Sequence, residues 1–211
     1  MKLLHLTLAT ASALLLSACG SQPDTAQVQI KVSDLSAGVY AVSSGDAASP
    51  VEGKYYAAAD GSRLLVLNDG GQKAASLYRR EGNGAWRMTP APASDTSLEL
   101  ASSNAISASV ASISSLARSY TLRLANGEAA SFSINSNGDI VAGSSSCKLT
   151  GKLSSSTLPN TLKASLSSNA CGDLPAQSDG YLVLDGDYAP ASFRLLTSAG
   201  NSLLDLWAYA E

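Results

Sequence analysis

Histidine is all but missing from this chain. The single copy among 211 residues is His5. It lies in an N-terminal stretch that reads as a removable secretion signal, so the mature chain is expected to hold none. A Ser-His-Asp triad or a Cys-His dyad cannot be built without it. Imidazole zinc ligation goes too, and three cysteines are too few for an all-sulfur zinc site. Charge is also scarce: 15% of residues are Asp, Glu, Lys or Arg, against about 25% in an average domain. The balance is 14 basic to 17 acidic residues, and Lys2 leaves with the signal. No basic excess remains to pair with phosphates, which excludes nucleic acid as a partner. Long apolar runs are lacking as well. Leu3 to Leu16 is mostly apolar but too short to cross a bilayer comfortably. No cofactor is expected.

What is present begins with that segment. Met1-Lys2 is a short charged start, and the apolar run ends in Leu16-Ser17-Ala18-Cys19. This resembles the lipobox of bacterial lipoproteins, where an aliphatic residue and two small ones precede a cysteine. The resemblance implies that residues 1–18 are the signal and that the Cys19 sulfur takes a diacylglyceryl group. Several acyl chains, at about 0.8 kcal/mol per buried methylene, make a permanent membrane anchor. In enterobacterial lipoproteins an Asp after the cysteine retains the protein at the inner membrane. Gly20 stands there instead, which implies the outer membrane, on either its periplasmic or its cell-surface side. Residues 19–33 read as the lipidated N-terminus and a polar tether. A dozen extended residues reach about 40 Å.

Serine and alanine dominate the rest, punctuated by Gly and Asn. Apolar residues mostly alternate, the pattern of half-buried strands. Strands are expected at 38–43, 63–68 and 74–80, with shorter ones at 86–89 and 98–101. Stretch 106–117 fits both a strand and a helical stripe. Its serines compete for backbone bonds, which favours a strand, with a short helical turn near 112–116 as the alternative. Further strands are expected at 120–124, 130–134, 139–142, 147–153, 161–166, 181–184, 192–197 and 203–209. Turn signals such as Asn126-Gly127 and Asn137-Gly138 separate several of them. The fold class is all-β: an antiparallel meander closing into a small barrel, or two related β halves at 34–112 and 113–211. The second reading rests on an echo, in which Asp34 to Tyr40 resembles Ser115 to Tyr120.

Once Cys19 is committed to lipid, Cys147 and Cys171 remain. An exported chain is expected to join them, and a loop of about 25 residues gains roughly 3–3.5 kcal/mol on the chain-entropy model. Tyr120 to Glu211 also resembles a loose group of bacterial lipoproteins of undefined function. The residues that carry this are Gly138, Gly143, Cys147-Lys148-Leu149-Thr150-Gly151, Asn160, Cys171 and Gly180-Tyr181. The resemblance implies a structural motif and carries over no catalytic residue.

Other candidates are weighed by their chemistry. Ser145-Ser146-Cys147-Lys148 and Lys148-Leu149-Thr150-Gly151 match two motifs of penicillin-binding enzymes, but they overlap on one strand here. Asp185-Gly186-Asp187 begins like a calcium loop without its later acidic ligand, so a hairpin turn is expected. Lys54, Arg63, Lys73, Arg79, Arg80 and Arg87 form either a basic face or solvated strand edges; the second is favoured. Tyr55-Tyr56 and Tyr188 fall near expected turns, where they would line a binding surface. The leading expectation is a non-catalytic envelope module that binds an envelope protein or glycan. The alternatives are a barrel holding an apolar ligand or inhibiting a cell-wall enzyme, and a histidine-free glycosidase using two of Asp185, Asp187 and Asp205.

Overall fold

The structure is a computed structural model and describes residues 28–211. The signal and Cys19 lie outside the described residues. The strands of the N-terminal portion are β1 (Ile30–Val32), β2 (Gly38–Ser44), β3 (Val51–Ala57), β4 (Arg63–Asn68), β5 (Ala74–Arg80), β6 (Arg87–Thr89), β7 (Thr96–Leu98) and β8 (Leu100–Ile106). Those that follow are β9 (Ser119–Arg123), β10 (Ala129–Ile134), β11 (Asp139–Ala142), β12 (Lys148–Ser155), β13 (Thr161–Asn169), β14 (Gln177–Val183), β15 (Phe193–Ala199) and β16 (Ser202–Ala210). The fold is all-β, and every pairing except one is antiparallel.

Strands β9 to β16 form a closed barrel in chain order, with β16 returning to β9. Alternation explains it. On β10, Ala130, Phe132 and Ile134 point inward while Ser131 and Ser133 do not. The rings of Tyr120, Phe132 and Phe193 meet at centroid separations from 4.8 to 6.5 Å. Together with Leu122, Leu149, Leu162 and Leu182 they pack the lumen. Each such side chain stabilises by about 1.5–3 kcal/mol when fully buried. Gly151 and Gly180 serve the close approach of neighbouring strands. A Cβ on either would lie 2.2 Å from the Ser165 carbonyl oxygen or 2.1 Å from that of Leu196. The Cys147–Cys171 disulfide is present, tying the start of β12 to the loop after β13.

The second sheet is open, with strand order β6-β5-β4-β3-β2-β8. Its inner face carries Val39, Tyr56, Leu64, Val66 and Leu77, which pack on Tyr181, Val183 and Leu196 of the barrel wall. Its outer face carries Val42, Tyr55, Leu65, Leu67 and Tyr78, covered by Ile30, Val32, Leu35, Trp86, Met88 and Leu98. Much of that cover comes from β1 and β7, which pair in parallel. Asp34, just beyond β1, accepts from Arg63 at 2.6 Å and from Arg80 at 2.8 Å.

Two expectations are corrected. Stretch 106–117 is not a strand: β8 ends at Ile106, and only a 3-10 turn at Ser114–Leu116 follows. Its backbone goes elsewhere. The Asn160 side chain accepts from the Ser109 N–H and donates to the Ser107 carbonyl, fastening the linker to the barrel. The other is the end of the 19–33 tether, where Ile30–Val32 forms strand β1 and pairs with β7; β3 lies outside the expected strands as well, and it buries both Tyr55 and Tyr56 completely.

The echo has a structural counterpart. The Tyr40 hydroxyl donates to the Ser36 carbonyl at 3.1 Å, and the Tyr120 hydroxyl donates to that of Leu116 at 3.0 Å. Each tyrosine reaches back four residues from the strand that opens its sheet.

Candidate functional site

Sheet and barrel meet along a seam, and the seam opens into a cleft of about 520 Å³. The sheet side supplies Ser43 from β2, Glu52 and Lys54 from β3, Ser102 and Asn104 from β8, and Asn68 and Gln72 around the β4–β5 turn. The barrel side supplies Asp187, Tyr188, Arg194 and Trp207.

Arg194 is the centre of the floor. It lies on the outer wall of β15 and is fully buried. Its guanidinium donates to both oxygens of Asp205, at 3.0 and 2.6 Å, and to Asn68 of the sheet at 3.2 Å. It also lies 4.5 Å from the Trp207 ring centroid and 5.2 Å from that of Tyr188. Each such cation–π contact is worth up to about 2 kcal/mol when dry. Burial opposes its charge, but Asp205 outweighs that and raises its pKa further. Asp205 Oδ2 accepts a third bond, from the Ala74 N–H of β5.

Lys54 forms a second ionic knot. Its ammonium donates to Asp187 at 2.5 Å. Asp185 Oδ2 lies 3.0 Å away without hydrogen-bond alignment, so that attraction is ionic. Burial again opposes the charge, yet Asp187 and Asp185 hold the amine above the ordinary lysine range. Above it, the Tyr56 and Tyr188 hydroxyls share a hydrogen bond at 3.3 Å. Burial, then the neighbouring Tyr188, pushes the Tyr56 hydroxyl well above the usual phenol range.

The candidates are thus partly gathered and partly dispersed. Asp185, Asp187 and Asp205 all come to the seam, where they serve as counter-ions to Lys54 and Arg194. Asp185-Gly186-Asp187 is a turn: Asp185 Oδ1 accepts the Asp187 N–H and caps a short 3-10 segment. Among the described residues, no group of three or more His, Cys, Asp or Glu side chains is placed to hold a metal. The basic residues do not form one face. Arg63 and Arg80 hold Asp34 on the outer side, while Lys54 faces the barrel. Tyr55 and Tyr56 are core residues, not turn residues; only Tyr188 reaches the cleft lining. The Ser145 hydroxyl donates to the Cys147 carbonyl and Lys148 to that of Gly143, so both motif side chains bind backbone.

Sequence reasoning missed Arg194 and Trp207 as a pair. A signal existed. Arg194 opposes Trp207 across the β15–β16 hairpin, and Asp205 is its diagonal neighbour on that face. A barrel hairpin with Arg, Asp and Trp on its outer side announces a covered wall.

No protein-family model, curated protein or solved structure matches the chain. No helix among the described residues is long and apolar enough to cross a membrane.

Proposed function

We propose that this chain is an outer-membrane lipoprotein, anchored through Cys19, whose β body binds an envelope component without transforming it. The carrying observation is the seam cleft, in which the acids and bases of the floor are spent on each other. Carboxylates committed to Lys54 and Arg194 support binding over acid–base chemistry. The packed lumen supports placing the ligand outside the barrel. The lipobox supports the anchor.

The test is site-specific photo-crosslinking in cells, with the probe at Ser102 in the cleft or at exposed Val141 on β11. A discrete envelope adduct is expected from position 102 and not from 141. Cys19→Ala should remove both the adduct and membrane pelleting. Equal labelling from 141, or a Cys19→Ala protein that still pellets, overturns the reading.

A further inference from the structure

We propose that the seam cleft takes a neutral, hydroxyl-rich ligand: a short uncharged oligosaccharide. This rests on the binding-module reading above and names its ligand class.

Charge selects against anions. Around the cleft, Lys54 and Arg194 face Asp185, Asp187, Asp205 and Glu52. Both cations are already engaged by carboxylates at 3.0 Å or less. A phosphate or uronate would meet net negative potential and would have to displace an existing partner. Cationic ligands fare little better, since three of the four acids are tied down.

What remains free is of the right kind. Glu52, Gln72 and Asn104 line the cleft, and among the described residues no side-chain hydrogen bond or ion pair engages them. They offer a carboxylate acceptor and two amides that both donate and accept. The Ser43 and Ser102 hydroxyls form a pair 2.6 Å apart, a donor–acceptor couplet of the sort that sugar hydroxyls extend. Beside these lies aromatic surface. Trp207 is partly exposed at the opening; Arg194 lies over its ring at 4.5 Å and Tyr188 packs on it edge-on at 5.2 Å, so a sugar would pack on the ring surface that these two leave uncovered. A pyranose presents a flat face of slightly positive C–H groups, which suits the negative face of a ring. The volume falls within the roughly 300–1,000 Å³ of ligand pockets.

The experiment uses the full chain in detergent and saturation-transfer NMR with three probes: maltotriose, triacetylchitotriose and anionic trigalacturonate. Saturable transfer is expected to at least one neutral probe and at most weak transfer to trigalacturonate. Gln72→Ala with Asn104→Ala should weaken binding at least tenfold while leaving the melting temperature unchanged, because neither side chain bonds within the fold. Silence from both neutral probes, trigalacturonate binding as tightly, or full binding by the double variant overturns the ligand class. If the Ser102 crosslink persists in that case, the binding-module reading stands. If it is lost as well, both fall.

Discussion

The two sheets run the same kind of meander and finish differently. In the barrel the last strand, β16, returns beside the first, β9, and stays paired to β15. In the other sheet β8 also returns beside β2, but β7 has turned away to pair with β1. Strands β6 and β8 are therefore left at opposite edges. The difference shows what closure provides. A closed sheet has no edges and keeps its apolar side to itself. An open one must be covered, and this one is covered on both faces. The barrel wall takes one and the β1–β7 pair the other. Charged side chains follow the cover. Among the described residues the buried charges, Lys54, Arg63 and Arg194, all lie outside the barrel lumen. The open sheet is held by Arg194, Lys54 and Asp34, each at a place where one layer meets another.

The strongest way to break that arrangement is Arg194→Ala. It strands Asp205 as a buried charge, a change that typically costs about 3–5 kcal/mol. Urea unfolding should move to lower concentration and separate into a sheet step and a barrel step. An unshifted midpoint would show that the seam does not depend on this pair. Replacing Cys147 and Cys171 by serine acts on the other side of the comparison. About 3 kcal/mol should be lost, and hydrogen exchange should quicken in β12 and β13 while β3 and β4 keep their protection. Equal loss in both sheets would mean that they unfold as one unit.

Alkali should distinguish them more gently. Burial, then nearby Asp34, pushes the Tyr55 hydroxyl up to about 12. Tyr56 and Lys54 also keep their protons more firmly in the folded chain. Raised values mean that their contribution is whole below about pH 10 and is lost as the pH climbs through the folded values. Sheet resonances should therefore fade before those of the barrel between about pH 10 and 12, although burial raises Tyr120, Tyr181 and Tyr188 on the barrel side too. Barrel signals vanishing first would refute this. The smallest effect is Asp34→Asn, at about 1 kcal/mol for half-exposed ion pairs. Burial opposes the charge of Asp34, but Arg80 and Arg63 hold its carboxyl below the usual range. Its contribution is present above about pH 4 and is lost as the pH falls through the folded value. The variant should flatten the acid limb of melting temperature against pH. An unchanged limb would remove Asp34 from the account.

Local pattern made the barrel legible. Most of its strands alternate because one side is lumen, whereas β15, whose outer side lies under the open sheet, is buried from Phe193 to Ser198; the disulfide followed from cysteine count and compartment. Strand β3 was illegible for a matching reason. It is covered on both faces, as β4 is, so alternation disappears; β4 keeps the apolar run Leu64 to Leu67, whereas Glu52, Gly53 and Lys54 break up β3. Lys54 in its middle reads as a solvated edge, because its partner Asp187 lies 133 positions away. The site suffered most. A cleft between two sheets has no local sequence signature, and the residues that rim it look like ordinary surface polars.

The pairing of β1 with β7 has a mechanical consequence. Where the chain is held at its N-terminal end, a tug enters the described body at Gln29, whose N–H donates to Asp95 and whose carbonyl accepts from the Thr96 N–H. It runs along β1 and shears this strand against β7, with all their bonds sharing the load. Next in line is Asp34, gripped by two arginines. Tension would thus reach the open sheet first, and a pull strong enough to slide β1 free would bare the part of the outer apolar face under Ile30 and Val32 while the barrel stayed shut.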